Sequence, residues 1–304
     1  MGLPVVYYPL YSPPFPEGHR FPMPKFKMIY EILAEDGIAE PACVYRPEPA
    51  SRQLLTLVHT AEYVDSFLSG SIDSRAMRRI GLPWSEALVE RTRAAVAGTL
   101  LTARLALEHG IASNTAGGTH HAHPEFGSGF CIFNDLAVAA RGLVADGTVE
   151  RILVVDLDVH QGDGTARALA DDPRIFTFSM HSRKNFPFRK QSGDLDVELE
   201  DGLSDEAYLR TLEHHLPDLL DHVRPSLVLY DAGVDPHRED RLGRLELTDD
   251  GLARRDRFVL ERALARGVPV ATVIGGGYSS DHRRLARRHT IIHREADAAL
   301  RKPA

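Results

Sequence analysis

The stretch "VVDLDVHQGDGT", Val154 to Thr165, sets Asp156, Asp158, His160 and Asp163 where an apolar run gives out. Side chains two apart on an extended chain point the same way. Asp156, Asp158 and His160 are therefore expected on one side. Two carboxylates and an imidazole crowded together are costly unless positive charge lies among them. A divalent cation supplies that charge, and Asp235, at the end of "YDAGVD", offers a further carboxylate. A single aspartate at a strand end reads more simply as a turn or cap residue. The recurrence of acids and histidines at several strand ends is what favours a metal centre. Two Asp and one His leave one position of a zinc site open, the pattern of a catalytic site. A water held there has its pKa lowered to about 7 and becomes a nucleophile at neutral pH.

A second group of residues suits proton transfer. In "GGTHHAHPEFGSGFCIFND", Gly117 and Gly118 permit a tight turn before His120 and His121. A water that attacks a carbonyl needs a base, and histidine fits that task. Asp156 and Asp163 are candidates to orient the two imidazoles. In "IGGGYSS" three glycines lead to Tyr278, whose hydroxyl can donate to an oxyanion as it develops.

Separate segments must converge to build such a site. Strand-like runs recur at "PVVYY", "ASNTAGG", "RILVVDLDV", "RIFTFSMH", "SLVLYDAG" and "VPVATVIGGG". Helical patterns lie between them, among them "KFKMIYEILAED" and the long "SEALVERTRAAVAGTLLTARLALEHG", which Gly110 ends. "NDLAVAARGLVADG", "SDEAYLRTLEHHLPDLLDHV" and "DDGLARRDRFVLERALARG" follow; the last opens on an acidic cap and stops at Gly267. The basic "RRLARRHTIIHREA" reads as the solvated face of a helix. Strand and helix in alternation imply an α/β fold: one domain over 1–304, an open, mostly parallel sheet flanked by helices. Several strands end in polar or glycine-rich residues, and ligands of such sheets bind outside the carboxyl ends of the strands.

Bulk properties narrow the partners. The 304 residues are 43% hydrophobic and 26% charged, with a net charge of −7. That balance argues against a nucleic-acid surface built on bulk positive charge. No apolar run is long enough to span a bilayer, so no membrane association is expected. The N-terminus lacks the order of a secretory signal, and two cysteines, Cys43 and Cys131, make no disulfide scaffold. A cytoplasmic location is the expectation.

Taken in order, "LVHTAEYVDSF", "GGTHHAHPEFGSGFCIFND", "DLDVHQGDGT", "FPFRKQSGDLDVEL", "YDAGVDPHREDRLGRL" and "IGGGYSS" resemble the zinc-dependent histone deacetylase superfamily, with its arginase/deacetylase fold. Class IV and bacterial class IV-like members are the most similar. The resemblance implies one zinc per chain on Asp158, His160 and Asp235. It implies His121 as general base and acid, oriented by Asp163, and His120 as its electrostatic partner, oriented by Asp156. Tyr278 would polarise the scissile carbonyl. A potassium ion is expected against Asp156, Asp158, His160, Ser179 and the Met180 backbone. Gly129, Phe130 and Gly276 would line a narrow acyl-lysine tunnel, with Phe186 or Phe188 as the opposite wall. Gln161 replaces the second histidine of many members, and His123 and Pro124 extend the histidine segment differently.

The implied reaction is hydrolysis of an N-acyl amine, either an acyl-lysine peptide or a small N-acyl amine. Two rivals stand beside it. One is a binuclear manganese ureohydrolase of the arginase type, against which the longer "DVHQGD" spacing and the lack of a full second ligand set both argue. The other is a module that binds acyl amines without hydrolysing them.

Overall fold

The computed structural model describes residues 2–302. Its strands are β1 (Val5–Val6), β2 (Val44–Tyr45), β3 (Ile111–Asn114), β4 (Ile152–Asp156), β5 (Ile175–Ser182), β6 (Leu195–Leu199), β7 (Leu227–Asp231) and β8 (Val270–Val273). They form one eight-stranded sheet in the order β2-β1-β3-β8-β7-β4-β5-β6, and every pairing is parallel. The helices are α1 (Lys25–Glu35), α2 (Arg52–Leu55), α3 (Ala61–Ser69), α4 (Ser74–Ile80), α5 (Glu86–His109), α6 (Asp135–Ala145), α7 (Asp163–Leu169), α8 (Asp205–Val223), α9 (Asp249–Leu264) and α10 (His282–Arg301).

The central strands are apolar throughout because both faces are covered. Leu153, Val155, Val228, Tyr230 and Val270 pack into one core with residues of α1, α8, α9 and α10. Ile152, Val154, Leu227, Leu229 and Ala271 alternate with them and enter a second core with α6 and the later part of α5. Register aligns the strand ends: Asp156 lies opposite Asp231 on one side and Ser179 on the other, and Asp231 lies opposite Val273. The C-terminal edge thus carries a row of carboxylates.

The sequence reading needs correction at several places, and α2, α3, α4 and α7 were not among its helical patterns. β4 stops at Asp156, so Asp158 and His160 lie on the loop beyond it and share no strand face with Asp156. β2 and β6 were not foreseen; each is short or flanked by acids. The cap of α9 is Thr248, whose side chain accepts from Gly251 N, while the acids Asp249 and Asp250 occupy the first turn. Finally, α10 is amphipathic, not merely solvated: Leu285, His289, Ile292 and His293 are buried.

Candidate active site

β4 and β7 deliver the metal-type cluster. Past Asp156 the chain makes two tight aspartate turns. Asp158 N donates to Asp156 Oδ1 at 3.1 Å, and His160 N donates to Asp158 Oδ1 at 2.9 Å. These bonds aim the Asp158 and His160 side chains at Asp235, which follows β7. His160 Nδ1 lies 3.0 Å from Asp158 Oδ1 and 3.2 Å from Asp235 Oδ2. The three residues are buried, and their ligand atoms lie within 4.8 Å of one another. Val159 N holds Asp235 Oδ1 at 2.9 Å and Gly276 N holds Asp158 Oδ2 at 2.7 Å, which leaves Asp235 Oδ2 buried with no hydrogen bond. A Cβ at Gly276 would collide with both carboxylates.

The charges at this cluster are opposed. Burial and the neighbouring Asp158 push Asp235 up to about 7. Burial acts the same way on Asp158, but His120 and His160 outweigh it and hold that carboxyl well below its usual range. Two buried carboxylates compete here for positive charge, which a dication would satisfy. A buried carboxylate oxygen without a hydrogen bond, an O,O,N donor set and the glycine cradle fit a divalent cation with a position left open.

The histidine pair is built on a clamp. Asp135, the first residue of α6, accepts from Gly118 N at 3.1 Å and Thr119 N at 2.6 Å. Gly118 has φ +83, and a Cβ there would strike Gly275 and Asp231. The turn places His120 Nδ1 2.7 Å from Asp156 Oδ2 and His121 Nδ1 2.7 Å from Asp163 Oδ1. With Nδ1 donating to a carboxylate, each Nε2 is left for the cavity. His120 Nε2 is 3.8 Å from Asp158 Oδ1. The two rings stand 4.1 Å apart, yet their protonation diverges. Burial lowers His120, but Asp156 and Asp158 more than reverse this and hold it well above its usual value. Burial and the adjacent His120 push His121 down to about 4, against the pull of Asp163. The two environments thus drive the neighbouring imidazoles in opposite directions.

Tyr278 follows β8, its N donating to Asp240 Oδ2 at 2.6 Å. Burial, Asp235 and Asp158 keep the phenol protonated well beyond its ordinary range. Phe130 lies 5.8 Å from the Tyr278 ring, and Phe186 meets His121 edge-on at 4.8 Å. A Cβ at Gly129 would approach His121 Cδ2 at 2.7 Å. Gly129, Phe130, Phe186, Phe188 and Gly276 all line one cavity of about 590 Å³ together with His120, His121 and Tyr278. Phe186 forms an inner wall, whereas Phe188 is 88% exposed at the mouth. Ser179 and Met180 lie on β5 beside the end of β4, with Ser179 Oγ 2.9 Å from His181 Nδ1. Gln161 Nε2 donates to Gln191 O and Asp196 Oδ1, both at 2.7 Å, tying the cluster loop to β6.

Residues 19–293 match the histone deacetylase domain. The chain belongs to the histone deacetylase family. It is 58% identical over 296 residues to an uncharacterized protein of Picosynechococcus sp., covering 97% of this chain and 99% of that one. It is 31% identical over 276 residues to histone deacetylase 2 of Arabidopsis thaliana, covering 88% of this chain and 71% of the relative. A crystal structure of an HDAC homolog complexed with SAHA superposes with TM-score 0.82 and 26% identity, over 98% of this chain and 84% of that one. Membership of the histone deacetylase family makes the chain a hydrolase of the deacetylase type, with the α/β fold expected. No helix among the described residues is long and apolar enough to cross a membrane.

Sequence reasoning missed several residues of this deacetylase-family site. Asp231 is fully buried, with neither carboxylate oxygen bonded, and joins His120 and Asp156 in a second cluster within 4.8 Å. This group lies beside the first cluster and was not singled out in the sequence. Burial, then Asp156, raises the Asp231 carboxyl well above its usual range. His123 Nε2 meets the other oxygen of Asp163 at 3.0 Å. Lys25, Arg91 and Asp135 also reach the site. Lys25 and Arg91 sit in helical patterns that read as ordinary amphipathic faces, so sequence carried no signal for them.

Proposed function

We propose that the chain is a zinc-dependent deacylase that removes an acyl group from an N-acylated amine, with acyl-lysine as the first substrate class. The observation that carries this reading is the pair of His–Asp couples, His120 with Asp156 and His121 with Asp163, beside the Asp158, His160 and Asp235 cluster. Environments that drive two titratable neighbours apart assign acid and base roles. The SAHA complex of the homologous structure supports an acyl-amine substrate.

Asp158, His160 and Asp235 would hold the zinc, which when bound polarises the acyl carbonyl and acidifies water. His121 is neutral and takes the proton of the attacking water through Nε2, while Asp163 fixes its tautomer. His120 stays cationic and stabilises negative charge forming nearby. Tyr278 donates its hydroxyl to the carbonyl oxygen as charge accumulates there. The histidine pair then returns a proton to the nitrogen, the C–N bond breaks, and amine and carboxylic acid leave past Phe130 and Phe186. A potassium site formed by Asp156, Asp158, His160, Ser179 and the Met180 backbone belongs to the same reading. The register of Asp156 against Ser179 supports it.

The test is purified protein, loaded with zinc, against lysine peptides bearing acyl groups of graded length. Release of the carboxylic acid and of the unmodified lysine peptide, lost on chelation and restored by zinc at about one ion per chain, is the expected result. Two manganese ions per chain with urea release would instead install the ureohydrolase. Binding of acyl peptides without release would leave only a binding module.

A further inference from the structure

Two buried cations line the cavity and are not used by the proposed mechanism. Arg91, in the second turn of α5, is 4% exposed, and its Nε makes no hydrogen bond. Its guanidinium lies 4.8 Å from the Phe26 ring and 5.5 Å from Phe21. Lys25, the first residue of α1, is 2% exposed, with Nζ 5.4 Å from the same Phe26 ring. Its hydrogen bonds go to Gly275 O at 3.4 Å and His289 Nε2 at 3.1 Å, neither of them an anion. Asp135 draws on Arg91 from a distance, but its oxygens are committed to Thr99, Gly118 and Thr119. Asp158 and Asp235 act on Lys25 but belong to the metal-type cluster. Burial lowers both cations, Arg91 to about 10 and Lys25 to about 8.

Buried charges are retained where something pairs with them. Both side chains line the same cavity as His121 and Gly276. The amine part of a substrate must leave through the mouth, where Phe188 is exposed, so the acyl part points inward. Lys25 Nζ donates to Gly275 O, and the next residue, Gly276, holds Asp158, so the ammonium stands beside the metal-type cluster. A guanidinium on an aromatic platform with free N–H groups suits a carboxylate.

We infer that the acyl group of the preferred substrate ends in a carboxylate, a short dicarboxylic acyl chain of the succinyl or glutaryl class, received by Arg91 and Lys25. This rests on the deacylase reading above. The reaction stays a hydrolysis: water oxygen bonds to the acyl carbon, the C–N bond breaks, a proton goes to the nitrogen, and amine and dicarboxylate leave.

The experiment compares kcat/KM of the zinc-loaded protein for acetyl-, butyryl-, succinyl- and glutaryl-lysine peptides. Succinyl or glutaryl is expected to exceed butyryl at least tenfold. Arg91→Met and Lys25→Met should each reduce that ratio at least tenfold, mainly through KM, whereas Arg91→Lys should keep much of it. Circular dichroism checks folding, and if Arg91→Met does not fold, Lys25→Met and Arg91→Lys carry the comparison. Acetyl or butyryl turnover that matches or exceeds the acidic acyl groups overturns the inference and leaves the deacylase reading standing. So does inhibition by free acetate or succinate with no acidic-acyl turnover, which would assign the cations to the released acid alone. No turnover of any acyl group removes the reading and the inference together.

Discussion

His121 and His123 grip opposite oxygens of Asp163: His121 Nδ1 stands 2.7 Å from Oδ1 and His123 Nε2 stands 3.0 Å from Oδ2. The carboxylate is held from both sides, so the His121 ring has little freedom to rotate. Asp163→Asn removes the charge that orients the neutral imidazole, and kcat should fall about 10²-fold or more. His123→Gln keeps a donor near the same oxygen and should cost less than about tenfold. Steady-state kinetics on both variants check this; equal losses would mean that Asp163 acts through packing alone.

The phenol of Tyr278 is kept protonated by its burial beside Asp235 and Asp158. Tyr278→Phe removes one oxyanion donor, and kcat should drop about 10²- to 10³-fold. Zinc content should stay at the native level, because the hydroxyl is no part of the donor set. Near-native turnover in this variant would take Tyr278 out of the mechanism.

Gly276 has no room for a side chain between Asp158 and Asp235. Gly276→Ala should displace at least one carboxylate and weaken zinc binding about 10- to 100-fold. Zinc titration with a competing chelator reads this directly, independent of turnover. Unchanged affinity would show that the cradle is looser than its geometry implies.

Histidines buried away from the cluster set an acid limit on stability. His59 is pushed down to about 4 by burial, against hydrogen bonds to the backbone of His123 and Pro124. Burial alone takes His293 down to about 3. Both are neutral in the fold and titrate near 6.5 when exposed. The unfolded chain therefore binds more protons as pH falls, and stability drops. The His59 contribution is complete above about pH 6.5 and is lost on acidification through about pH 4, on the order of 3 kcal/mol. Thermal melts from pH 7.5 to 4.5 should show Tm declining; a flat profile would contradict this account.

Much of the candidate site could be picked out in the sequence because its residue types are misplaced by ordinary standards. Asp156, Asp158, His160 and Asp235 interrupt apolar runs, and His120 and His121 follow paired glycines. The route by which they meet was not legible. Strand periodicity suggested one shared face, whereas backbone-to-carboxylate turns after β4 do the aiming. Arg91 and Lys25 could not be singled out, since a cation in an amphipathic helix reads as solvated until the fold buries it. His289 and His293 were hidden likewise in a basic segment whose four-residue spacing turns them inward. Asp231 looked like the end of a strand and proved to be an unbonded buried acid.

Asn134 ties helix and chemistry together. Its Oδ1 caps α6 through Ala137 N at 2.9 Å, while its Nδ2 donates to the carbonyls of His120 and Ala122 at 3.3 and 3.2 Å. One amide group thus serves both a secondary-structure end and the histidine turn. The turn cannot drift without unwinding the first residues of α6, and α6 cannot shift without dragging the imidazoles off target. Substitutions on the buried face of α6 should then reveal themselves as lost turnover before any loss of fold, which makes that helix part of the apparatus that aims the imidazoles.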